Sequence, residues 1–198
     1  MARQKLKNIF LSASIPFKER DEKYFDTADI IAIRDAVIAL TTVVLPKHRL
    51  IWGGHPSITP IIYHLMQRLN LNIQEHITLY QSLFFEKHFP EDNNKFQNVI
   101  FTENKFEKDA SLLLMRKRMF TENSFVAGIF IGGMEGIEDE FKLFRELQPQ
   151  AFVLPIASTG AAAKIVYNKY LPTETKNARL ENDYAYMSLF QDLLIDKI

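Results

Sequence analysis

Hydrophobic and polar positions along the chain alternate between two patterns. Six short apolar runs lie at 8–15 (NIFLSASI), 49–54 (RLIWGG), 77–82 (ITLYQS), 98–103 (NVIFTE), 125–133 (FVAGIFIGG) and 151–158 (AFVLPIAS). Most are continuous rather than alternating, the pattern of strands buried on both faces. Between them, apolar residues recur at helical spacing over 27–45, 57–70, 107–120, 136–147 and 159–171, and an amphipathic segment closes the chain at 183–198. Thr27 and Ser57 stand where N-caps belong. The stretches 83–97 and 171–183 read as irregular, and the first is long enough for a functional loop or an extra helix.

Strands alternating with helices predict an α/β fold: a Rossmann-like, mostly parallel sheet of about six strands with helices on both faces. No internal repeat or low-complexity linker interrupts the pattern, so 1–198 is read as a single domain. In such sheets ligands bind at the carboxyl ends of the strands, where glycine-rich turns lead into helices. Three turns of that kind are present: WGGHPSITP after the second run, IGGMEGIEDE after the fifth and ASTGAAAK after the sixth. Ser12 and Ser14 sit toward the end of the first run and join that edge.

Each turn has a chemical reading and a plainer one. In the first, Gly53 and Gly54 can turn backbone N–H groups toward an anion, Ser57 can cap the next helix, and His55 can donate to phosphate or sense protonation. A tight turn with an ordinary cap fits equally. In the third, Ser158 and Thr159 offer hydroxyls, Gly160 opens a helix, and Lys164 lies one turn in, able to reach back to a charge. A capped, closely packed helix with Lys164 in solvent is the alternative. In the second, Gly132, Gly133, Met134 and Gly136 form the bend. Glu138, Asp139 and Glu140 fall in a first helical turn, where the macrodipole favours acids; Glu138 and Asp139 are read as such surface acids and Glu140 as the one facing the pocket. Arg116, Lys117 and Arg118 form a basic cluster at a helix end before the fifth run, which suits either an anion or the helix dipole.

Composition narrows these options. The 24 basic and 24 acidic side chains cancel, which argues against a protein built to coat nucleic acid or an acidic membrane. The chain has no cysteine, so disulfides, thiolate nucleophiles and thiolate-bound metals are excluded. The five histidines have no i,i+4 pair or acidic partner at ligand spacing, and no metal is expected. The opening MARQKLKNIFLSASIP has too short an apolar part for a signal peptide, and no run approaches the ~20 residues of a membrane span. A cytoplasmic protein is therefore expected. The G-x-S-x-G, G-x-x-x-x-G-K-[ST] and G-x-G-x-x-G motifs are absent, so hydride transfer has no support and no cofactor is expected.

The segment MRKRMFTENSFVAGIFIGGMEGIEDEF (115–141) resembles the signature of the lysine-decarboxylase-like, or LOG-type, phosphoribohydrolases. That signature sets an Arg-Lys on a helix, then a strand, then a P-G-G-x-G-T-x-x-E turn. Here Arg116-Lys117 precedes the double glycine at the family's distance, and Gly136 to Glu140 match G-T-x-x-E with one extra residue in the bend. LIWGGHPSITP (50–60) matches the earlier glycine-rich loop. The resemblance implies a Rossmann-like fold, with Arg116 holding substrate and Glu140 stabilising an oxocarbenium-like state or orienting water. The family's proline is here Ile131 and its threonine is Ile137, which removes a hydroxyl.

With the Ser-Thr-Gly turn and Lys164, the set looks more like the SLOG superfamily branch associated with sirtuin-like and TIR domains in bacterial, Thoeris-like antiphage defence. That branch implies a sensor of a nucleotide-derived signal, such as a cyclic ADP-ribose isomer, that switches an effector and forms a homo-oligomer. On that reading Ser12, Gly53, Gly54, His55, Ser57, Arg116, Gly132, Gly133, Met134, Gly136, Glu140, Ser158, Thr159, Gly160 and Lys164 contact the ligand. The alternative is a hydrolase of the N-glycosidic bond of a nucleoside monophosphate, with Arg116 and Glu140 catalytic. A Rossmannoid partner protein with a disused pocket is the third. The effector is expected to be a separate protein or a further part of a longer chain. The last segment's apolar face, with Tyr184, Met187, Phe190 and Leu194, is read as covering the sheet or a second copy.

Overall fold

The computed structural model describes residues 6–69 and 73–198. Among these residues six strands form one sheet: β1 (Asn8–Ser14), β2 (Arg49–Trp52), β3 (Ile77–Ser82), β4 (Val99–Thr102), β5 (Phe125–Gly132) and β6 (Phe152–Ile156). Their order is β4-β3-β2-β1-β5-β6, and every ladder between neighbours is parallel. The α/β Rossmann-like fold expected from the apolar runs is the fold observed. Residues successive in sequence, such as Ile9, Phe10 and Leu11 or Ile129, Phe130 and Ile131, are all buried, which requires cover on both faces of the sheet.

Among the described residues, eight α-helices connect and flank the strands: α1 (Glu22–Phe25), α2 (Ile30–Val44), α3 (Thr59–Arg68), α4 (Lys108–Glu122), α5 (Glu135–Leu147), α6 (Ala161–Lys169), α7 (Arg179–Asn182) and α8 (Tyr186–Leu193). α2 packs on α3 and α8, while α5 packs on α4 and α6. The chain steps outward from β1 to β4, then returns to place β5 on the other side of β1. With right-handed crossovers, that reversal sends the connecting helices to opposite faces. It also makes the gap between the ends of β1 and β5 the topological switch point. Beneath it Phe10 stacks on Phe144 with centroids 5.2 Å apart and meets Phe120 edge-on at 4.8 Å. Among the described residues no helix is long and apolar enough to cross a membrane.

Several local expectations are corrected. α2 is capped by Asp29, whose carboxylate accepts from the amide of Ala32, and not by Thr27. α3 starts after Ile58, with a proline in its first turn and no side-chain cap, so Ser57 is not its cap. The expected end of that helix at Asn70 lies outside the described residues. The irregular stretch 83–97 folds into two 3-10 turns, Leu83–His88 and Glu91–Lys95, and 171–183 holds a 3-10 turn at Thr173–Thr175 and α7. The face assigned to the last segment divides: Phe190 and Leu194 are buried, where α8 packs on α2, while Tyr184 and Met187 point outward.

Candidate functional site

The carboxyl ends of β1, β2 and β3, with the start of α5 and one side of α4, enclose a cavity of about 310 Å³. That lies at the small end of the range for small-molecule pockets. Its floor is supplied by Ser12 and Ser14 of β1, by Trp52 and the turn 53–56 after β2, and by Gln81 and Ser82 of β3. Its walls come from Lys108, Leu112, Met115 and Arg116 of α4 and from Met134 to Ile137 with Glu140 around the start of α5. The 3-10 turn after β3 and the residues behind it add Phe85, His88, Phe89 and Pro90.

The basic cluster lies in the middle of α4 rather than at its end. Successive side chains on a helix are turned by about 100°, so three adjacent cations cannot share one target. Lys117 is exposed, and Arg118 turns away to pair with Glu122 at 2.8 Å. Only Arg116 faces the cavity. Its Nε donates to Glu140 Oε1 at 3.1 Å, its Nη2 donates to the carbonyl of Gly136 at 3.3 Å, and its Nη1 lies 3.7 Å from Asp139. Glu140's other oxygen accepts from Ser12 Oγ at 2.5 Å. Both side chains are largely shielded, at 11% exposed for Arg116 and 16% for Glu140. Strand, helix and helix thus meet in one chain of hydrogen bonds across the switch point.

The turn after β2 is arranged around His55. Ser57 Oγ lies 2.8 Å from His55 Nδ1, and the Ser57 amide donates to the same nitrogen at 3.3 Å. The Ile15 amide donates to that hydroxyl, tying the turn to the end of β1. An Nδ1 that accepts leaves the proton on Nε2. Burial, aided by the charge of Arg20, pushes His55 down to about 4, so the ring is neutral near pH 7. It can donate from Nε2 but does not sense protonation at that pH. Gly54 has φ +67°, and a Cβ there would come within 1.8 Å of Gln81 Nε2. Gly53 similarly makes room for Met115. Both glycines are fitted against neighbouring side chains, a use the anion reading did not include.

In the bend after β5, Glu138 is not the surface acid expected from the helix dipole. It is 8% exposed and accepts from Tyr24 Oη at 2.7 Å and Tyr170 Oη at 3.1 Å. These two phenols and Lys23 hold its carboxyl below the usual range against the opposing effect of burial. Asp139 is exposed beside Arg116, and Ile137 is buried against Gly133 while lining the cavity. α5 has no side-chain cap, and its first residues, Met134 to Gly136, line the cavity.

The turn after β6 is placed differently. Thr159 Oγ1 donates to the carbonyl of Ile156 at 2.6 Å and accepts from the amide of Gly132 at 2.9 Å. Ser158 shares a hydrogen bond with Tyr186. Gly160 has φ +72° and packs against the backbone of Thr27, whose hydroxyl accepts from the amide of Ala161. Lys164 is exposed.

Of the residues singled out by sequence, Ser12, Gly53, Gly54, His55, Arg116, Met134, Gly136 and Glu140 are gathered on the cavity. Ser57, Gly132, Gly133, Ser158, Thr159, Gly160 and Lys164 are not among its lining. The cavity also takes in residues that sequence reasoning passed over. Arg20 comes from the loop before α1 and pairs with Glu135, and Gln81 comes from a strand read only as apolar. Phe85 and Phe89 come from the stretch read as irregular, whose length was the one available signal.

The model of the SLOG cluster3 family matches residues 23–194. The X-ray structure of TM1055, a structural-genomics consortium target, superposes with a TM-score of 0.61 over 98% of this chain and 100% of that one, at 14% identity. That likeness supports the fold. No curated protein matches the chain. The chain belongs to the SLOG cluster3 family.

Proposed function

We propose that this SLOG cluster3 protein binds a nucleotide-derived signal in the cavity and does not cut it. The observation that carries this reading is the state of Glu140. A carboxylate stabilises developing positive charge best when its own charge is not already matched by a cation and its orientation is not already fixed by other donors. Here one oxygen accepts from Ser12 and the other from Arg116. The hydroxyl that the LOG-type signature would supply is replaced by the apolar Ile137 in the cavity wall. What remains suits holding an anion: the uncapped start of α5, the neutral His55 as a donor, and Arg20 at the rim.

A cyclic ADP-ribose isomer fits this reading, with phosphates at the α5 start. The resemblance to the defence-associated branch supports a role in switching an effector, through an oligomer whose arrangements differ in ligand affinity. The hydrolase remains as a second reading because Arg116 and Glu140 stand 3.1 Å apart on the cavity wall.

The test is to incubate the protein with nucleoside monophosphates and with NAD-derived cyclic nucleotides, following heat of binding and base release together. Binding without base release, lost in Arg116→Ala, is the expected result. Base release that disappears in Glu140→Ala overturns the sensor and leaves the hydrolase. No binding of either class leaves only a partner protein with a disused pocket.

A further inference from the structure

We infer that Gln81, with Phe85 and Phe89, forms a base-reading subsite for an adenine-type ring at the end of the cavity away from Arg116. This deepens the proposed function and rests on it. The starting observation is an amide without a partner. Gln81 is 5% exposed, lines the cavity, and among the described residues makes no hydrogen bond through its side chain. Its amide atoms are not sealed from solvent: they open on the cavity, where a partner can reach them. The fold reserves the place for the amide: Gly54 takes a left-handed conformation and leaves no side chain where the Gln81 amide lies. Polar groups of largely buried side chains almost always have partners, so an amide that opens on a cavity takes its partner from what enters the cavity, water or ligand.

The surroundings suit a flat ring. Phe85 lines the cavity, braced edge-on by Phe84 at 5.0 Å, and Phe89 lines it, stacked on Phe101 at 5.9 Å. Leu112 and Met115 of α4 also line the cavity. Braced aromatic faces receive a base by stacking, while an amide at its edge reads one donor and one acceptor. Adenine presents an exocyclic amino donor beside a ring-nitrogen acceptor, the arrangement a glutamine amide meets with both its groups.

The spacing fits a nucleotide. β3 lies two strands from β1, about 10 Å at the usual strand spacing. Arg116, which also pairs with Glu140, and the uncapped α5 start lie toward the β1 end, and the unpaired amide stands at the β3 end. A phosphate at the first and a base at the second would be joined by a ribose between them.

The test uses calorimetry with adenosine 5′-monophosphate and with purine riboside 5′-monophosphate, which lacks only the amino group. The wild-type protein should bind the second about tenfold more weakly, the discrimination a matched amide contact gives. Gln81→Leu should bind both equally, at the weaker level. Gln81→Met, which keeps the side chain's length, should behave alike and guards against a folding defect in the first variant. Equal binding of both nucleotides by the wild type, or a preference that survives in either variant, overturns the subsite while leaving nucleotide binding intact. No binding of either nucleotide, nor of any NAD-derived one, overturns the proposed function and this subsite together.

Discussion

The turns after β2 and after β6 are built from the same materials, and the fold uses them in opposite ways. Each follows a buried strand, each has glycine with φ near +70°, and each offers hydroxyls beside a potential cation. After β2, the neighbour that presses on Gly54 is the end of a side chain, Gln81, which belongs to the cavity floor. After β6, the neighbour that presses on Gly160 is the backbone of Thr27, and both hydroxyls are spent on the protein's own groups. A glycine-and-hydroxyl turn therefore indicates a close approach without saying what approaches. The partner comes from a distant part of the chain, and it decides whether the turn faces a ligand or seals the fold.

The sharpest way to break this contrast is Gly160→Ala. The new Cβ would lie 1.7 Å from the Thr27 carbonyl oxygen, in a conformation that side chains rarely adopt. Backbone cannot step aside as a flexible side chain can, so a loss of about 4 kcal/mol is expected, in the range few single substitutions reach. Chemical denaturation measures it. A loss below about 1 kcal/mol would place the β6 turn with the adaptable one, since strain of this kind costs more than that.

His55 gives the β2 turn its own signature. Its folded pKa is about 4 against an ordinary value of 6.5. A lowered histidine pKa means that the unfolded chain binds the proton first as pH falls. The contribution is fully present above about pH 6.5 and is lost progressively toward pH 4, at most about 3 kcal/mol. His55→Asn should flatten that part of the stability curve, read from denaturant midpoints at pH 7, 5.5 and 4.5. An unchanged acid slope would show that the partly buried His55 does not titrate at the lowered value.

Why the two turns could not be told apart in advance is a matter of range. The six strands were legible because a strand buried on both faces must be apolar at successive positions, a property carried by adjacent residues. β3, for example, was expected at 77–82 and is observed over Ile77–Ser82. Arg116 and Glu140 were legible because a motif spaces them along the chain. The caps at Thr27 and Ser57 misled because the hydroxyl signal is local while its use is not. Thr27 Oγ1 serves the amide of Ala161, and Ser57 serves His55 and Ile15. Glu138 was masked in the same way: its neighbours on α5 suggest a dipole-favoured acid, but its tyrosine partners come from α1 and from the end of α6. Gln81 left no trace, since nothing in ITLYQS shows that a glycine 27 residues earlier makes room for its amide.

Thr159→Val is a gentler probe of the β6 turn. It keeps the shape and removes one hydroxyl that serves two backbone groups. The Ile156 carbonyl and the Gly132 amide would both lose a partner in a buried place. Leaving such groups unsatisfied costs about 2 kcal/mol. Because Gly132 ends β5 beside the switch point, the same variant tests whether that strand end depends on the turn. Amide exchange at Gly132 should accelerate with the loss of stability, and protection that stays at the wild-type level would show that another acceptor serves it.

The smallest expected effect divides the turns most cleanly. Lys164 and Arg116 were both read from sequence as cations for a ligand's charge. Arg116 is shielded and faces the cavity, whereas Lys164 is exposed and is not among its lining. An exposed lysine is held by little, and its removal usually changes stability by less than about 0.5 kcal/mol. A charge outside the cavity also acts on a bound phosphate through solvent and salt, which screen it within about a Debye length of ~8 Å. Lys164→Ala should therefore leave both the melting temperature and the nucleotide affinity at wild-type values under conditions where Arg116→Ala abolishes binding. If Lys164→Ala weakens binding severalfold and the loss shrinks with added salt, the β6 turn reaches the ligand after all, and the division between the two turns falls.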